Sequence, residues 1–563
     1  MKDSTGKTLT QTADANGIFT FADVSGFTAP LMLEATGTAG GTNYTLHSLL
    51  TTTPEAGVSG VINISRATDA ATAQVTGADP ATVFADPAKI KLVDATKLAD
   101  AKAKLNAALA DILTALGQDP TKVDLFTTAF KADNTGLDKL LDLVNFSSDA
   151  TTGGRTMQVT DKNTQVSSTI APDATVASVS AAKLAAPSTA TLALDTSGIK
   201  TLVINSFNAL SDTAGQINST AMLDLFDPAY LDSGKNRSAQ IADIATYAVG
   251  MKISDYVLGG CDGATKICEG KATVTKSDKS TETLNLPVIL GSDGKWRAYG
   301  NQAPFDFDLK PVVTQQNYVG TNAPAPYLQT GFNFWFTGYV GSNSSSRVYQ
   351  SAKLFTSTDG GTTWTLVTSL KYNSSCKGDF LPIDGVGCTN FKTISDAAAA
   401  SNNAAQAAGT RWFKIVAYPN ADYTGTPATY QHRSTVQLFD ATTGAAAVAA
   451  SGLGITTSEL GSNSVSFVGN PDWVNIGVDT VGSTATGSTS WSDKIAIKAL
   501  NGKATVAAAL ALCGSSSCTS TYGTGAKIYS IQLNNRDPQG RGVWVQYMTV
   551  FTATSPTTPL ITR

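Results

Sequence analysis

Charged residues are scarce in this chain. They make up 15% of its 563 residues, against about 25% in an average soluble protein. The net charge is −4 and no run of lysine or arginine occurs, whereas nucleic-acid binding needs clustered basic side chains that contact phosphates. We therefore expect no nucleic-acid partner. Low charge with abundant threonine, alanine, serine and glycine is typical of secreted or surface-displayed bacterial β-proteins.

Histidine is nearly absent, with His47 and His432 as the two examples. A zinc site is thus poorly supplied with ligands, and a serine hydrolase triad would have to recruit one of the two. Both lie in strand-like segments, NYTLHSLL and YQHRST, where we expect half-exposed sheet positions. The motif H-E-x-x-H, the P-loop and the dinucleotide fingerprint do not occur. We predict no catalytic residue, no cofactor and no metal site.

Long apolar runs are also missing. No stretch approaches the roughly 20 residues that span a bilayer. The N-terminus, MKDSTGKTLTQ, has no apolar signal segment. We expect that Met1 is not the natural start and that a signal peptide, of lipoprotein type, lies upstream. A membrane association would then depend on a lipid anchor lost with that segment.

The cysteines point to export. They form three close pairs among turn residues, separated by long cysteine-free stretches: Cys261 with Cys268, Cys376 with Cys388, and Cys513 with Cys518. No pair has C-x-x-C spacing, so zinc binding fits less well, and free cytosolic thiols are more often scattered and buried. The pattern predicts three local disulfides and an oxidising compartment, either the cell surface (outer membrane) or the periplasm.

The first segment, residues 1–65, predicts strands. TGKTLTQTADANGIFTFADVSG indicates two strands joined by a turn. Five residues fit the repeat T-x-D-x-x-G-x-F-x-F: Thr12, Asp14, Gly17, Phe19 and Phe21. The segment resembles the carboxypeptidase-regulatory-like (transthyretin-like) domain, which implies a β-sandwich whose initial strands are missing here. Either the chain is truncated, or another chain donates the missing strand to the open edge.

Residues 66–172 predict a helical domain. The clearest helix is ATKLADAKAKLNAALADILTALG, with Thr96 as its N-cap, a leucine stripe that we interpret as core packing, and Gly117 at its end. A hairpin over TMQVTDKNTQVSSTI follows. Residues 173–197, rich in serine, alanine and threonine, are predicted to be a linker.

Residues 198–310 predict helices followed by a curved antiparallel sheet. The unit ends in D-G-x-W-x-x-x-G-N-Q, carried by Asp293, Gly294, Trp296, Arg297, Gly300, Asn301 and Gln302. It resembles the cystatin-like cone of nuclear-transport-factor-2-like domains. That resemblance implies a pocket between sheet and helices, and some members are enzymes that use histidine or aspartate as a general acid or base.

This cone contains no histidine. Its remaining carboxylates are Asp224, Asp227, Asp243 and Asp255, in helix-cap or turn settings that are usually structural. We expect a ligand cup or a packing module rather than a proton-transfer site.

Residues 311–440 and 441–563 alternate apolar and polar residues between turns, which predicts two immunoglobulin- or fibronectin-like β-sandwiches. One turn resembles the Asp-box of sialidase propellers, carried by Ser357, Asp359, Gly361, Thr363 and Trp364. Propellers carry several copies and this chain has one, so we interpret it as a structural hairpin. Tryptophans in this half could stack on sugars, although most lie at alternating positions typical of a core: Trp335, Trp364, Trp412, Trp473, Trp491 and Trp544.

The predicted fold class is therefore a multi-domain, mainly β protein with α+β parts. It comprises a truncated β-sandwich, a small helical domain, an α+β cone and two C-terminal sandwiches. The leading functional hypothesis is an exported, non-enzymatic binding or adhesion protein whose surface ligand is a carbohydrate or a small apolar molecule. Two alternatives stay open: a carbohydrate-active or ester-hydrolysing enzyme with accessory sandwiches, and a structural subunit that assembles by strand addition.

Overall fold

The structure is a computed structural model of the whole chain. It describes every residue except 15–16, 40–41, 55–59, 152–153, 277–278, 280, 320–322, 341–346, 377–379, 435, 457–459, 461–463, 470, 480–501, 506–526, 538–540 and 550–563. The described residues are mainly β, with several separate sheets and some helices, an arrangement compatible with β-sandwich domains. They divide into two compact units. The first contains Met1–Phe305 and the second begins at Asp306; two short segments, Tyr339–Ser346 and Ala407–Gly409, belong to the first.

The first part of unit 1 combines two three-stranded antiparallel sheets, β1-β2-β3 and β4-β5-β6, with helices. Its strands are β1 (Lys2–Asp3), β2 (Leu31–Ala39), β3 (Thr42–Leu50), β4 (Val144–Thr151), β5 (Gly154–Asp161) and β6 (Ser167–Ile170). Its helices are α1 (Arg66–Thr76), α2 (Pro80–Ala85), α3 (Pro87–Ile90), α4 (Ala95–Ala115), α5 (Gly136–Leu143), α6 (Val176–Ala181) and α7 (Thr189–Leu192). The predicted hairpin over 156–170 corresponds to β5 and β6.

Helix α4 organises this part. Its leucine stripe is buried as predicted, and each fully buried leucine contributes about 2 kcal/mol. Its N-cap is Asp94 rather than Thr96, because the Asp94 carboxylate accepts the N–H groups of the first turn. Met32 and Leu49, in the two long strands of the first sheet, belong to the same apolar cluster as Leu105. The expected boundary at residue 65 therefore does not separate two cores.

The predicted strands over residues 8–22 are not formed. The described residues between Leu9 and Pro30 contain no strand. The Asp14 carboxylate accepts the N–H of Ile18, and the Asp3 carboxylate accepts those of Thr5, Lys7 and Thr28. These side-chain bonds fold the segment into turns in place of a strand ladder. Assembly by strand addition stays a prediction, and the described residues between Leu9 and Pro30 supply no strand for it.

The predicted linker over 173–197 is packed against the core. Val179 and Leu184 are 2% and 1% exposed and belong to the same cluster as α4. The Leu184 N–H donates to the carbonyl of Ala108 at 2.9 Å. Two short helices, α6 and α7, lie in this segment, so scattered apolar residues in a serine- and alanine-rich stretch are enough to fasten it.

The remainder of unit 1 is a helical layer and a curved antiparallel sheet. Helices α8 (Ser197–Lys200) and α9 (Phe207–Ala209) flank a π-helical turn, Thr201–Ser206, and are followed by α10 (Ala214–Ile217), α11 (Thr220–Leu223) and α12 (Arg237–Tyr247). The strands are β7 (Leu231–Asp232), β8 (Lys235–Asn236), β9 (Lys252–Asp262), β10 (Ile267–Thr275), β11 (Thr281–Asn285), β12 (Val288–Leu290) and β13 (Trp296–Ala298). Strand β10 pairs with β9 on one side and with β11 and β12 on the other, and β12 pairs with β13.

Unit 2 contains a six-stranded, a four-stranded and a three-stranded sheet. Its strands are β14 (Phe307–Val319), β15 (Tyr327–Phe336), β16 (Ser351–Ser357), β17 (Thr365–Lys371), β18 (Phe391–Thr393), β19 (Trp412–Tyr418), β20 (Ala428–Arg433), β21 (Gly454–Ile455), β22 (Ser464–Val468), β23 (Trp473–Asp479), β24 (Lys503–Thr505), β25 (Lys527–Arg536) and β26 (Gly542–Thr549). Its helices are α13 (Asp396–Ala407) and α14 (Ala441–Ser451).

The expected boundary at residue 440 falls within one sheet. The six-stranded sheet has the order β18-β15-β14-β26-β25-β23, so strands from both sides of residue 440 alternate in it. Strand β14 pairs in parallel with β26 over eight residue pairs, from Val312↔Gly542 to Val319↔Thr549. The alternation of apolar and polar residues predicted these strands. Their pairing brings strands from both sides of residue 440 into one sheet, where two separate sandwiches were predicted.

Two of the three predicted disulfides are present. Cys261 bonds Cys268 across the β9–β10 pair, and Cys376 bonds Cys388 around a loop. The predicted pair Cys513–Cys518 lies outside the described residues. Two local disulfides indicate an oxidising, extracytoplasmic environment.

We predict that unit 2 needs its last described strand. A stop after Arg541 removes β26 from between β14 and β25, which leaves two ladders unpaired and exposes Val313 of the core. Limited proteolysis with mass spectrometry should then cut within residues 307–440. A stop after Thr549 keeps β26 and serves as the control. Equal resistance of the two truncated chains would show that residues 307–440 fold without the C-terminal strands.

Candidate functional site

Each unit has an open cleft on its described surface. The first, termed the acidic cleft, measures about 460 Å³. It is lined by Asp224, Asp227, Pro228, Ala229, Arg237, Gly291, Ser292, Asp293 and Arg297. The fold thus brings two of the four aspartates singled out in the sequence to the Asp293–Arg297 part of the terminal motif.

An ion pair forms one wall of the acidic cleft. The Arg297 guanidinium donates to both oxygens of Asp293, at 2.8 and 2.6 Å, and its Nε donates to the carbonyl oxygen of Asp224. The hydrogen bonds from Arg297 hold the pKa of Asp293 well below its usual value. Asp293 is therefore a fixed anion at neutral pH and is unsuited to donate a proton.

The other motif residues fasten β13 to the segment that precedes α12. The Gly300 backbone has φ of 76° and runs close to the carbonyl of Leu231. The Asn301 side-chain oxygen accepts the N–H of Ser233, and the Gln302 N–H donates to the Leu231 carbonyl. Each polar group is used in a structural bond, so the motif has a sufficient explanation in packing.

Aromatic side chains pack together between the helices and the sheet of β9–β13. Phe207, Phe226, Tyr230, Tyr256 and Trp296 are all buried in one cluster.

The two remaining aspartates of the cone also have structural roles. Asp243 forms an ion pair with Lys235 at 2.5 Å, and Asp255 accepts the N–H of Tyr256. The fold does not bring either of them to the acidic cleft.

The second cleft, termed the loop cleft, lies in unit 2 and measures about 340 Å³. It is lined by Lys371, Tyr372, Asn373, Ser374, Pro382, Ile383, Asp384, Gly385 and Gly387. One side is the end of β17 and the residues after it. The other side is the loop that the Cys376–Cys388 disulfide closes.

Backbone pairing holds the loop side in place. The Lys371 N–H donates to the Pro382 carbonyl, and the Asp384 N–H donates to the Ser369 carbonyl, so the segment runs along β17 as an added strand. Leu381 and Ile383 are buried, whereas Asp384 is exposed. The loop cleft is therefore built from paired backbone and a covalent closure.

Aromatic and polar groups meet in the loop cleft. Tyr372 is 37% exposed, and the Arg347 guanidinium lies 4.2 Å from its ring centre. The Asp384 carboxylate accepts a hydrogen bond from the Tyr423 hydroxyl at 2.8 Å. Burial and this bond raise the pKa of Tyr423, so the hydroxyl stays protonated.

Two hydrogen-bond donors of the loop cleft are available to a ligand. Lys371 Nζ and Asn373 Nδ2 make no hydrogen bond to another residue that the structure describes. Asn373 uses its side-chain oxygen, which accepts the Ser375 N–H. Sequence reasoning missed this cleft, and its one signal was the turn-rich loop between the two cysteines.

The Asp-box residues form the hairpin turn between β16 and β17. The Asp359 carboxylate accepts hydrogen bonds from Ser357 Oγ and from the N–H and hydroxyl of Thr363, which lower its pKa to about 2. Gly361 has φ of 88°, and the Lys414 ammonium lies 4.2 Å from the ring centre of Trp364. All five box residues thus serve the turn.

The two histidines lie in opposite environments. His47 is 2% exposed, not half-exposed as expected, with Nδ1 at 2.8 Å from Asp69 and Nε2 at 3.3 Å from Glu34. His432 is half-buried and stacks on Tyr430. Burial, and then the nearby positive charge of Arg411, lower the pKa of His432 to about 4.

The tryptophans do not form a common platform. Trp335 is 40% exposed and contacts Phe380, with ring centres 5.2 Å apart. Four others are half-buried: Trp364, Trp412, Trp473 and Trp544. Trp491 lies outside the described residues.

We predict that the close approach at Gly300 is costly to disturb. Gly300→Ala places a Cβ 2.3 Å from the Leu231 carbonyl oxygen, whereas Gly294→Ala, at nearly the same φ, meets nothing within 4 Å. Gly294→Ala should destabilise unit 1 by about 1 kcal/mol through backbone strain, and Gly300→Ala by more than about 3 kcal/mol. Urea denaturation measures both. Equal losses would contradict the contact.

We predict an acid-dependent loss of stability through His432. The folded-state pKa, about 4, lies below the unfolded value of about 6.5. Between these values the unfolded state binds the extra proton, so the free energy of unfolding falls as pH is lowered from about 6.5 to about 4. In urea titrations across that range, His432→Gln should reduce the slope of the free energy of unfolding against pH by the contribution of up to one proton. An unchanged slope would contradict the burial of a neutral imidazole.

Comparison of the chain with protein-family models, with curated proteins and with solved structures gives no match. Among the described residues, no helix is both long and apolar enough to cross a membrane, and no group of three or more His, Cys, Asp or Glu side chains is placed to hold a metal ion.

Proposed function

We propose that the chain is an exported binding protein whose loop cleft recognises a carbohydrate. The observation that carries the proposal is the exposed Tyr372 ring, which shares one cleft with the polar side chains of Lys371, Asn373 and Asp384, beside a loop closed by a disulfide. The two disulfides support an extracytoplasmic location, at the cell surface or in the periplasm.

The chemistry of the loop cleft suits a polyhydroxylated ligand. Sugar rings present apolar C–H faces that pack on aromatic rings, and hydroxyl groups that both donate and accept hydrogen bonds. Tyr372 offers the ring, Lys371 and Asn373 offer donors, and Asp384 offers a carboxylate oxygen. The Tyr423 hydroxyl already orients the Asp384 carboxylate. Binding would therefore cost little conformational entropy at this side chain.

We also infer finer domain types. The order of helices before the curved sheet of β9–β13 supports a cystatin-like cone of the nuclear-transport-factor-2-like type. The facing sheets of unit 2 support an immunoglobulin-like sandwich, with the Phe332 and Phe413 rings meeting edge to face at 5.3 Å between them. In this arrangement the cone is a packing module and unit 2 carries the ligand.

We predict that Tyr372 dominates binding. A glycan array of neutral and acidic oligosaccharides selects a ligand, and titration calorimetry then compares variants. Tyr372→Ala should weaken binding about 2- to 12-fold, since aromatic stacking contributes about 0.5–1.5 kcal/mol. Tyr372→Phe should keep most of the affinity because it retains the ring.

Tyr247→Ala is the matched control, since Tyr247 is an exposed tyrosine of unit 1, at 56%. It should leave the affinity unchanged. The proposal is wrong if no oligosaccharide binds, or if Tyr372→Ala binds the selected oligosaccharide as tightly as the unaltered chain.

A further inference from the structure

A buried arginine in unit 2 has too few partners. Arg411, directly before β19, is 0% exposed. Its Nη1 donates to the Val436 carbonyl at 3.2 Å, whereas Nε and Nη2 have no hydrogen-bond acceptor within the described part of the chain. A guanidinium carries five N–H donors. Buried donors of a charged group are costly when they are left unmatched.

The surroundings of Arg411 supply π electrons but no counter-charge. Its guanidinium carbon lies 4.8 Å from the Phe413 ring centre and 5.7 Å from that of Phe332, on strands of the two facing sheets. Burial lowers the pKa of Arg411 to about 9, so the group is still a cation at neutral pH. Cation–π contacts lower the energy of the charge but leave the N–H donors unsatisfied.

The same unit solves this problem differently for Arg541. Arg541 is 5% exposed, lies over the Phe439 ring and forms an ion pair with Asp537 at 2.6 Å. No described carboxylate lies within ion-pair distance of Arg411. Asp308, the anionic group that acts on the neighbouring His432, forms an ion pair with Lys310. Arg411 is thus a buried positive charge that the described part of the chain does not neutralise.

Polar groups of helix α13 approach the same region. Asn403 bonds both the N–H and the carbonyl of Leu438, two residues beyond the Val436 carbonyl that Arg411 contacts. Gln406, 3% exposed, follows nearly one turn later, and its side-chain oxygen also has no partner among the described residues. Unit 2 therefore holds a second buried side chain with an unmatched polar atom among its described residues.

We propose that Arg411 binds a small inorganic anion of chloride size inside unit 2. One monovalent anion would accept N–H groups from both unmatched nitrogens, Nε and Nη2, and neutralise the charge, whereas water would satisfy the donors alone. Paired buried charges are tolerated in proteins, and unpaired ones are strongly destabilising. The anion would act as a structural ligand of the sandwich, separate from the loop cleft.

Stability in different anions tests the proposal. Unfolding of the full chain is followed at fixed ionic strength while sodium gluconate, whose anion is much larger, is replaced by sodium chloride. Above the dissociation constant, each tenfold rise in chloride should raise the folding equilibrium constant about tenfold. Equal stability in the two salts would mean that water satisfies Arg411, and would overturn the proposal.

Variants locate the effect. Arg411→Met removes the charge at similar volume and should abolish the chloride dependence. Arg541→Met, the matched control, removes a buried arginine that has its own carboxylate and should leave that dependence intact. Chloride dependence that persists in Arg411→Met, or is lost only in Arg541→Met, would place the anion elsewhere and overturn the assignment.

A direct measurement keeps the test decisive if Arg411→Met does not fold. Bound chloride broadens the quadrupolar NMR line of the exchanging chloride pool. The unaltered, folded chain should show excess broadening that bromide competes away and that unfolding in urea removes. Absence of excess broadening by the folded chain would overturn the proposal without any variant.

Discussion

Backbone hydrogen bonding between segments far apart in sequence is the constraint on which both units depend. In unit 2 the first strand, β14, pairs in parallel with the last described strand, β26. The six-stranded sheet is therefore complete only when the chain between these two strands is present. In unit 1 the Leu184 N–H bonds Ala108, and Ala298 pairs with the backbone of Leu225 and Asp227. Because a buried peptide group without a partner is costly, these pairings decide which apolar faces meet.

The low charge of the chain fits a second feature, the use of short polar side chains to satisfy local backbone groups. Ser65, Thr175 and Asp440 each begin a helix with a reciprocal capping box. Asp3 and Asp359 each accept several hydrogen bonds inside a turn. Abundant serine, threonine and aspartate thus replace long charged side chains as the polar component of the fold, and many aspartates that resemble site residues in the sequence are structural.

Whether a feature could be predicted from the sequence depends on how far apart in the chain its interacting residues lie. The leucine stripe of α4, the alternation in β26 and the two described disulfides depend on near neighbours, and all three were predicted. The packed segment around Leu184 and the sheet that crosses residue 440 depend on distant partners that no local pattern identifies. The residues of the two clefts show the same dependence on distance along the chain. Asp224 and Asp227 were singled out by type, whereas Tyr372 and Asp384 meet only because the disulfide loop pairs with β17.

Buried charged groups show where the chain itself supplies the partners that a side chain needs. His47 lies between two carboxylates and Arg541 beside one, so each buried cationic or basic group has an acceptor from the chain. Arg411 has two aromatic rings and one carbonyl instead. In a chain with so few charges, a guanidinium at this position carries a desolvation cost that methionine would avoid at the same volume. The arginine is better explained by something that it binds than by what it contacts within the chain.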